Sequence, residues 1–218
     1  MEIQKQIKEL LSTLTENVSL VAVSKTKPNE DLEAAYEAGQ RIFGENKIQE
    51  MTQKWESLPK DIEWHMIGHV QTNKVKYMAP YVALIHGVDR YKLLKEINKQ
   101  AAKNKRVIDC LLQMHIAQED TKFGFNRAEL EAVILDLKTN PLPNVRITGL
   151  MGMATFTDNE DQIRSEFKSL KNTSDWLQNH LEDAKTVSIG MSGDYKIAIE
   201  EGSTMIRVGS KIFGSRNY

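Results

Sequence analysis

Lys25 closes the stretch Leu20-Val-Ala-Val-Ser-Lys25-Thr-Lys-Pro28, where a run of small and β-branched apolar residues stops abruptly. Such a run reads as a strand buried on both faces. A lysine at its C-terminal end must be paired or give up its proton, because taking an ammonium out of water costs several kcal/mol. The neutral amine is a nucleophile, suited to a Schiff base with a carbonyl compound. Alternation puts Lys25 on the face of Val21 and Val23, with Lys27 one step beyond, and two amines so close favour loss of a proton from the more buried one. The alternative is that both lysines point into solvent.

Two later stretches carry complementary chemistry. Ile189-Gly-Met-Ser-Gly-Asp194 has glycines that let backbone N–H groups face an anion, and it offers the Ser192 hydroxyl just before a short helix; Gly209-Ser210 is a matching element. Read blandly, both are tight turns. Arg207 shares parity with Met205, so it faces either the interior of a barrel or a helix layer. Inside a barrel a guanidinium needs a phosphate, a carboxylate or a ring nitrogen, and an ordinary ion pair with Asp109 is the plain alternative. Lysine, phosphate cradle and arginine together specify an aldehyde-bearing phosphate ligand, with pyridoxal phosphate foremost.

The elements that must position these groups follow from periodicity. Residues 2–15 space Ile3, Ile7, Leu10, Leu11 and Leu14 as one face of an amphipathic helix. Strands are predicted at about 18–25, 41–43, 63–67, 81–86, 106–115, 145–153, 186–189 and 204–208, each followed by a helix. Eight such units predict a (β/α)8 TIM-type barrel, whose functional residues lie at the C-terminal strand ends. An open doubly wound sheet would need a glycine-rich first turn, and here that turn is Ser24-Lys-Thr-Lys-Pro28. The strand ends then present Lys25, Asn46, His65 with Gly68, His115, Met151 to Thr155, Met191 to Asp194, and Arg207 to Ser210.

Bulk properties narrow the function. Residues 1–218 read as one barrel domain opened by a helix within residues 1–16, since no Gly/Ser tract marks a linker. A net charge of -1 and a pI near 6.5 give no reason to expect nucleic acid or an anionic membrane. No apolar run reaches spanning length and Met1-Glu-Ile-Gln-Lys lacks a signal-peptide core, so a cytoplasmic protein is expected. Cys110, in a strand-like run, reads as a buried structural thiol, and the five histidines lack metal-ligand spacing.

Val21-Ala-Val-Ser-Lys-Thr-Lys-Pro28, Phe43-Gly-Glu-Asn46, His65-Met-Ile-Gly68 with Gln71 and Asn73-Lys74, Lys122 with Gly124, Gly149-Leu-Met151, Met191-Ser-Gly-Asp194 and Arg207-Val-Gly-Ser-Lys-Ile-Phe-Gly214 resemble, in order, the motifs of the pyridoxal phosphate homeostasis proteins. The resemblance runs from about residue 18 to the C-terminus. It implies a barrel of the alanine-racemase N-terminal kind with Lys25 as the aldimine lysine. It further implies that Ser192, Gly193, Gly209 and Ser210 hold the phosphate, that Arg207 faces the pyridine nitrogen, and that Asn46 and Met191 complete the cofactor-binding set. His69-Val70 and His115 depart from the family pattern, which bears on local packing rather than on the lysine or the phosphate motif.

Pyridoxal phosphate does not by itself name a reaction, since the protein selects among outcomes. An arginine opposite the ring nitrogen leaves it unprotonated, and the ring then stabilises a carbanion poorly. Racemisation needs a base on each face of the substrate Cα, and an enzyme resembling alanine racemase would draw the second, a tyrosine, from a further β domain. Only Val208 to Tyr218 follow Arg207, so that base is expected to be missing unless Tyr218 or a loop residue supplies it. The expected function is therefore a carrier or buffer of pyridoxal phosphate in vitamin B6 and amino-acid homeostasis, with little or no turnover, handing the cofactor to apo-enzymes and favouring a monomer. The competing readings are an amino-acid racemase, a cofactor-free aldolase acting through Lys25, and a barrel that shares only the fold. Lys27 and Lys122 are candidate alternative landing points for the cofactor.

Overall fold

The computed structural model describes residues 2–119 and 123–214. Parallel strands β1 (Ser19–Val23), β2 (Ile42–Glu45), β3 (Glu63–Met66), β4 (Leu84–Val88), β5 (Ile108–Gln113), β6 (Val145–Met151), β7 (Thr186–Ser188) and β8 (Met205–Val208) pair in chain order. β8 returns to β1 with Val21 opposite Arg207, which closes the barrel. Between the strands run α1 (Glu2–Ser12, ahead of β1), α2 (Asn29–Glu37), α3 (Ile48–Ser57), a 3-10 turn (Thr72–Lys74) entering α4 (Val75–Met78), α5 (Tyr91–Lys103), α6 (Arg127–Thr139), α7 (Glu160–Gln178), α8 (Tyr195–Glu200) and α9 (Ser210–Phe213). The (β/α)8 architecture is the one the alternating pattern predicts.

Local chemistry explains the boundaries. Asn126 and Glu129 form a reciprocal capping box that starts α6. α7 buries Ile163, Phe167, Leu170, Ser174 and Leu177, at alternating spacings of three and four that keep one stripe on the sheet. α1 buries Ile7 and Leu10 and packs on α2 and α9. The main core lies between sheet and helices, where Phe43, Trp64 and Phe167 are fully buried; each such side chain contributes about 1.5–3 kcal/mol.

Sequence and structure differ most at β4. The apolar run begins at Tyr81, but Val82 N–H still bonds to Met78 O in the turn that closes α4, and the Tyr81 ring stacks on Trp55 of α3. The strand starts at Leu84 and continues through Gly87, which passes so close to β3 that a Cβ there would lie 2.6 Å from Gly68 O. The first strand ends at Val23, so Ser24 and Lys25 lie beyond it.

Laterally paired residues of a parallel sheet share a face. Register therefore places Val21, Val23, Gly44, His65, Leu84, Met205 and Arg207 on the barrel interior. Leu84, Leu111 and Met151 pack there with Met153 and Met205, separate from the main core.

Candidate functional site

The C-terminal end of β1 is extended by one hydrogen bond, from Ser24 N–H to Gly44 O at 3.0 Å, before the chain turns. Lys25 is half-buried in that turn rather than on the strand, and Thr26 has φ +65°, a left-handed conformation unusual for a β-branched residue. The turn is clamped from beneath by charges on β2 and α3. Lys54 Nζ donates to Ser24 O at 2.8 Å, Glu45 Oε1 at 2.8 Å and Glu50 Oε1 at 2.7 Å. Glu50 Oε1 also accepts from Thr26 N–H at 2.6 Å, and the Ser24 hydroxyl donates to Glu45 Oε1 at 2.6 Å. Burial pushes the Glu45 carboxyl up from its ordinary value, opposed by the Lys54 charge, and its Oε2 has no hydrogen-bond partner among the described residues.

The loops after β7 and β8 meet beside this turn. Gly190 has φ +94°, and a Cβ there would lie 2.6 Å from Ala198 Cβ, so any side chain is strained; its carbonyl accepts from Arg207 N–H at 2.9 Å. Met191 N–H donates to Asp194 Oδ1 at 2.6 Å, which shapes the loop around Ser192 and Gly193. The Ser192 Oγ accepts from Gly209 N–H at 3.2 Å, joining the two loops and leaving the serine's own proton to donate elsewhere. A Cβ on Gly209 would stand 3.0 Å from Val23 O, whereas one on Gly193 would meet nothing within 4 Å. Gly209 thus lies against the end of β1, two residues before Lys25. Ser210 is exposed at the start of α9, and Met191 is exposed on the rim.

Arg207 points into the barrel and is only 4% exposed. Among the described residues it has no carboxylate within ion-pair distance. Its Nη1 donates to Ser188 O at 2.7 Å and Ser188 Oγ at 2.6 Å, and its Nη2 to Gly152 O at 2.9 Å. Two of its five N–H groups therefore keep no acceptor among the described residues. Burial lowers its pKa to about 10, against the favourable influence of Asp194. Asp109, the partner considered from sequence, lies near the N-terminal end of β5 and pairs with Arg146 at 2.7 Å through both oxygens.

Arg207 also orders the interior hydrogen bonds. Ser188 Oγ accepts from Arg207, and the arrangement that uses its own proton has it donated to His86 Nδ1, 3.0 Å away. His86 then carries its proton on Nε2 and donates to His65 Nδ1 at 3.0 Å, which leaves His65 protonated on Nε2. Desolvation keeps both rings neutral: His65 is held at about 3, and His86 well below its ordinary value, with His65 and Arg207 adding to the shift.

Asn46 follows β2, half-buried, and Gly68 is tight against it, with a Cβ there only 2.5 Å from Asn46 O. The Lys27 ammonium donates to Phe213 O at 2.6 Å, which ties the turn to α9. His115 Nε2 bonds to Glu119 O at 3.0 Å. Lys122 and Tyr218 fall outside the described residues. The barrel mouth thus gathers Lys25, Asn46, Met191, Ser192, Gly193, Arg207, Gly209 and Ser210 from four strand ends. His86, Ser188, Glu45, Lys54 and Glu50 were not legible as site residues. Parity would have put His86 and Ser188 inside the barrel, but Lys54 reaches the turn only through the docking of α3.

Comparison with known proteins gives consistent results. A sequence model of the alanine racemase N-terminal domain family matches residues 1–217. The chain is 41% identical over 201 residues to a pyridoxal phosphate homeostasis protein of Aquifex aeolicus, covering 91% of this chain and 87% of that protein. It superposes with TM-score 0.92 on PipY of Synechococcus elongatus solved without pyridoxal phosphate, at 34% identity over 97% of this chain and all of that one. PipY with pyridoxal phosphate bound gives TM-score 0.89 at 33% identity, again over 97% of this chain and all of that one.

Proposed function

This chain belongs to the pyridoxal phosphate homeostasis proteins, built on the alanine racemase N-terminal domain, and from that premise we propose that it binds pyridoxal phosphate as a Schiff base on Lys25 and serves intracellular homeostasis of the cofactor and of amino acids with little or no turnover. The observation that carries the reading is Arg207. A buried guanidinium with only neutral acceptors and two N–H groups to spare, one strand end away from a serine-glycine cradle, suits a ring nitrogen that accepts without being protonated.

The residues present fit the group. Ser192 retains a hydroxyl proton because its Oγ accepts from Gly209 N–H, Gly193 faces open space, and the Ser210 backbone N–H stands beside them; together these would hold a phosphate. Asn46 and Met191 line the same mouth. Bound there, pyridoxal phosphate supplies an aldehyde for the lysine and an electron-withdrawing ring. Lys25 would form the covalent link and Arg207 would donate to the ring nitrogen, while the neutral His65 and His86 bring no acid to the barrel interior. With the nitrogen unprotonated the site stabilises a carbanion weakly, which suits storage better than turnover. Relatives named for homeostasis rather than for a reaction support the same reading. Among the described residues no helix is long and apolar enough to cross a membrane. We place the protein in the cytoplasm as a monomer that delivers the cofactor to apo-enzymes.

The test is twofold. The loaded protein should restore activity to a pyridoxal phosphate-dependent apo-enzyme, and incubation with L-amino acids in heavy water should give neither the D-isomer nor deuterium at Cα. Racemisation at about 1 to 1000 per second would make it an enzyme instead.

A further inference from the structure

We propose that Lys54 and Glu50 are positioning residues for Lys25: they fix the peptide groups on either side of it, so that its amine is presented to an aldehyde at the barrel mouth. This rests on the Schiff-base role of Lys25 and adds two residues that lie outside the cofactor-binding set.

The carbonyl of the Ser24–Lys25 peptide accepts from Lys54 Nζ at 2.8 Å, and the N–H of the Lys25–Thr26 peptide donates to Glu50 Oε1 at 2.6 Å. Lys54 and Glu50 are themselves joined at 2.7 Å, and Glu45 ties Lys54 to the Ser24 hydroxyl. One cluster of three charges therefore grips the backbone immediately before and after Lys25. All three N–H groups of the Lys54 ammonium are spent in it, and Lys54 is 5% exposed. Thr26 keeps its left-handed φ of +65° in the same grip; such a conformation persists only when its surroundings over-determine it. Buried ion clusters are poor stabilisers, since apolar residues of similar volume often do as well or better. Docking α3 on β2 does not need one, whereas orienting two peptide groups does.

The step it serves is simple addition and loss of water. The Lys25 nitrogen adds to the aldehyde carbon, the aldehyde oxygen leaves as water with both amine protons, and a C=N bond replaces C=O. Misplacing a reacting amine by about 1 Å can cost a hundredfold.

Lys54→Met and Glu50→Ala, each in the full chain, are compared with wild type for pyridoxal phosphate affinity, for the visible imine band, and for borohydride label on Lys25 located by peptide mapping. Pyridoxine 5′-phosphate, which has the ring and phosphate but an alcohol in place of the aldehyde, is the control ligand. Both variants should lose about tenfold or more in pyridoxal phosphate affinity and in labelling rate, with pyridoxine 5′-phosphate affinity within about twofold of wild type. Glu50→Gln, which keeps an acceptor oxygen for Thr26 N–H, should recover most of the loss. Lys54→Met leaves Glu45 buried without its cation and can fail to fold; the Glu50 side chain is 22% exposed, so Glu50→Ala carries the test alone if it does. Unchanged labelling in Glu50→Ala, or equal loss of both ligands, overturns the proposal. Absence of label on Lys25 in wild type would overturn the Schiff-base assignment itself, and this proposal with it.

Discussion

Moving the ligand-free protein from pH 7 to pH 5 should remove about 2 kcal/mol of folding stability through His65, with His86 acting in the same direction. In the unfolded chain each ring titrates near 6.5. In the native barrel burial holds His65 at about 3 and His86 well below its ordinary value, and the positive Arg207 further disfavours a proton on His86. The native rings stay unprotonated as the pH falls from 7 to 5, while in the unfolded chain the two together gain about one and a half protons. A base whose native pKa is depressed contributes stability that is present above the unfolded value and lost as pH falls below it; integrated over this window, His65 gives about 2 kcal/mol, and His86 adds a loss of the same sign. Glu45 acts with opposite sign, because its raised native pKa favours the folded state as pH falls. Urea unfolding at pH 7, 6 and 5, followed by far-UV circular dichroism, measures the loss. His65→Gln should lose about 2 kcal/mol less than wild type over the same range. A wild-type loss under about 1 kcal/mol, or the same loss in wild type and His65→Gln, would refute the neutral, buried His65.

Other perturbations separate the parts of the site. Arg207→Met should destabilise the fold by about 2–4 kcal/mol, because Ser188 O and Gly152 O lose a charged donor inside the barrel; chemical denaturation measures it, and a neutral effect would contradict the interior placement. Ser192→Ala should weaken pyridoxal phosphate binding about tenfold and leave unphosphorylated pyridoxal unaffected, as titration of the visible band would show. Gly190→Ala, which must hold a side chain at φ +94° against Ala198, should cost about 1–3 kcal/mol in unfolding free energy.

The fold was largely legible because each strand-helix unit has its own apolar period and the C-terminal strand ends carry the polar residues. β4 was displaced in the reading because the apolar run from Tyr81 serves first to close α4 and to stack on Trp55, and only from Leu84 does it pair with β3 and β5. Parity left Arg207 either in the barrel interior or against the helix layer, and its partners were not legible, since two of its three acceptors are the carbonyl and hydroxyl of Ser188 and the third is the Gly152 carbonyl. No sequence signal marks a carbonyl as an acceptor. The Glu45, Glu50 and Lys54 cluster was equally hidden: Glu50 and Lys54 stand four residues apart on α3, a spacing common on exposed helix faces, and only the packing of α3 beneath the first turn turns that pair inward. Lys25 was legible as a residue apart, though it stands in a turn two residues past the strand rather than on the alternating face.

The account's central claim is best tested by the visible spectrum of the purified protein with pyridoxal phosphate, beside Lys25→Ala, before and after borohydride. A yellow band in wild type that is absent from Lys25→Ala, and that borohydride converts to a label on Lys25, is the predicted result. No band in either protein, or an equal band in both, would contradict it.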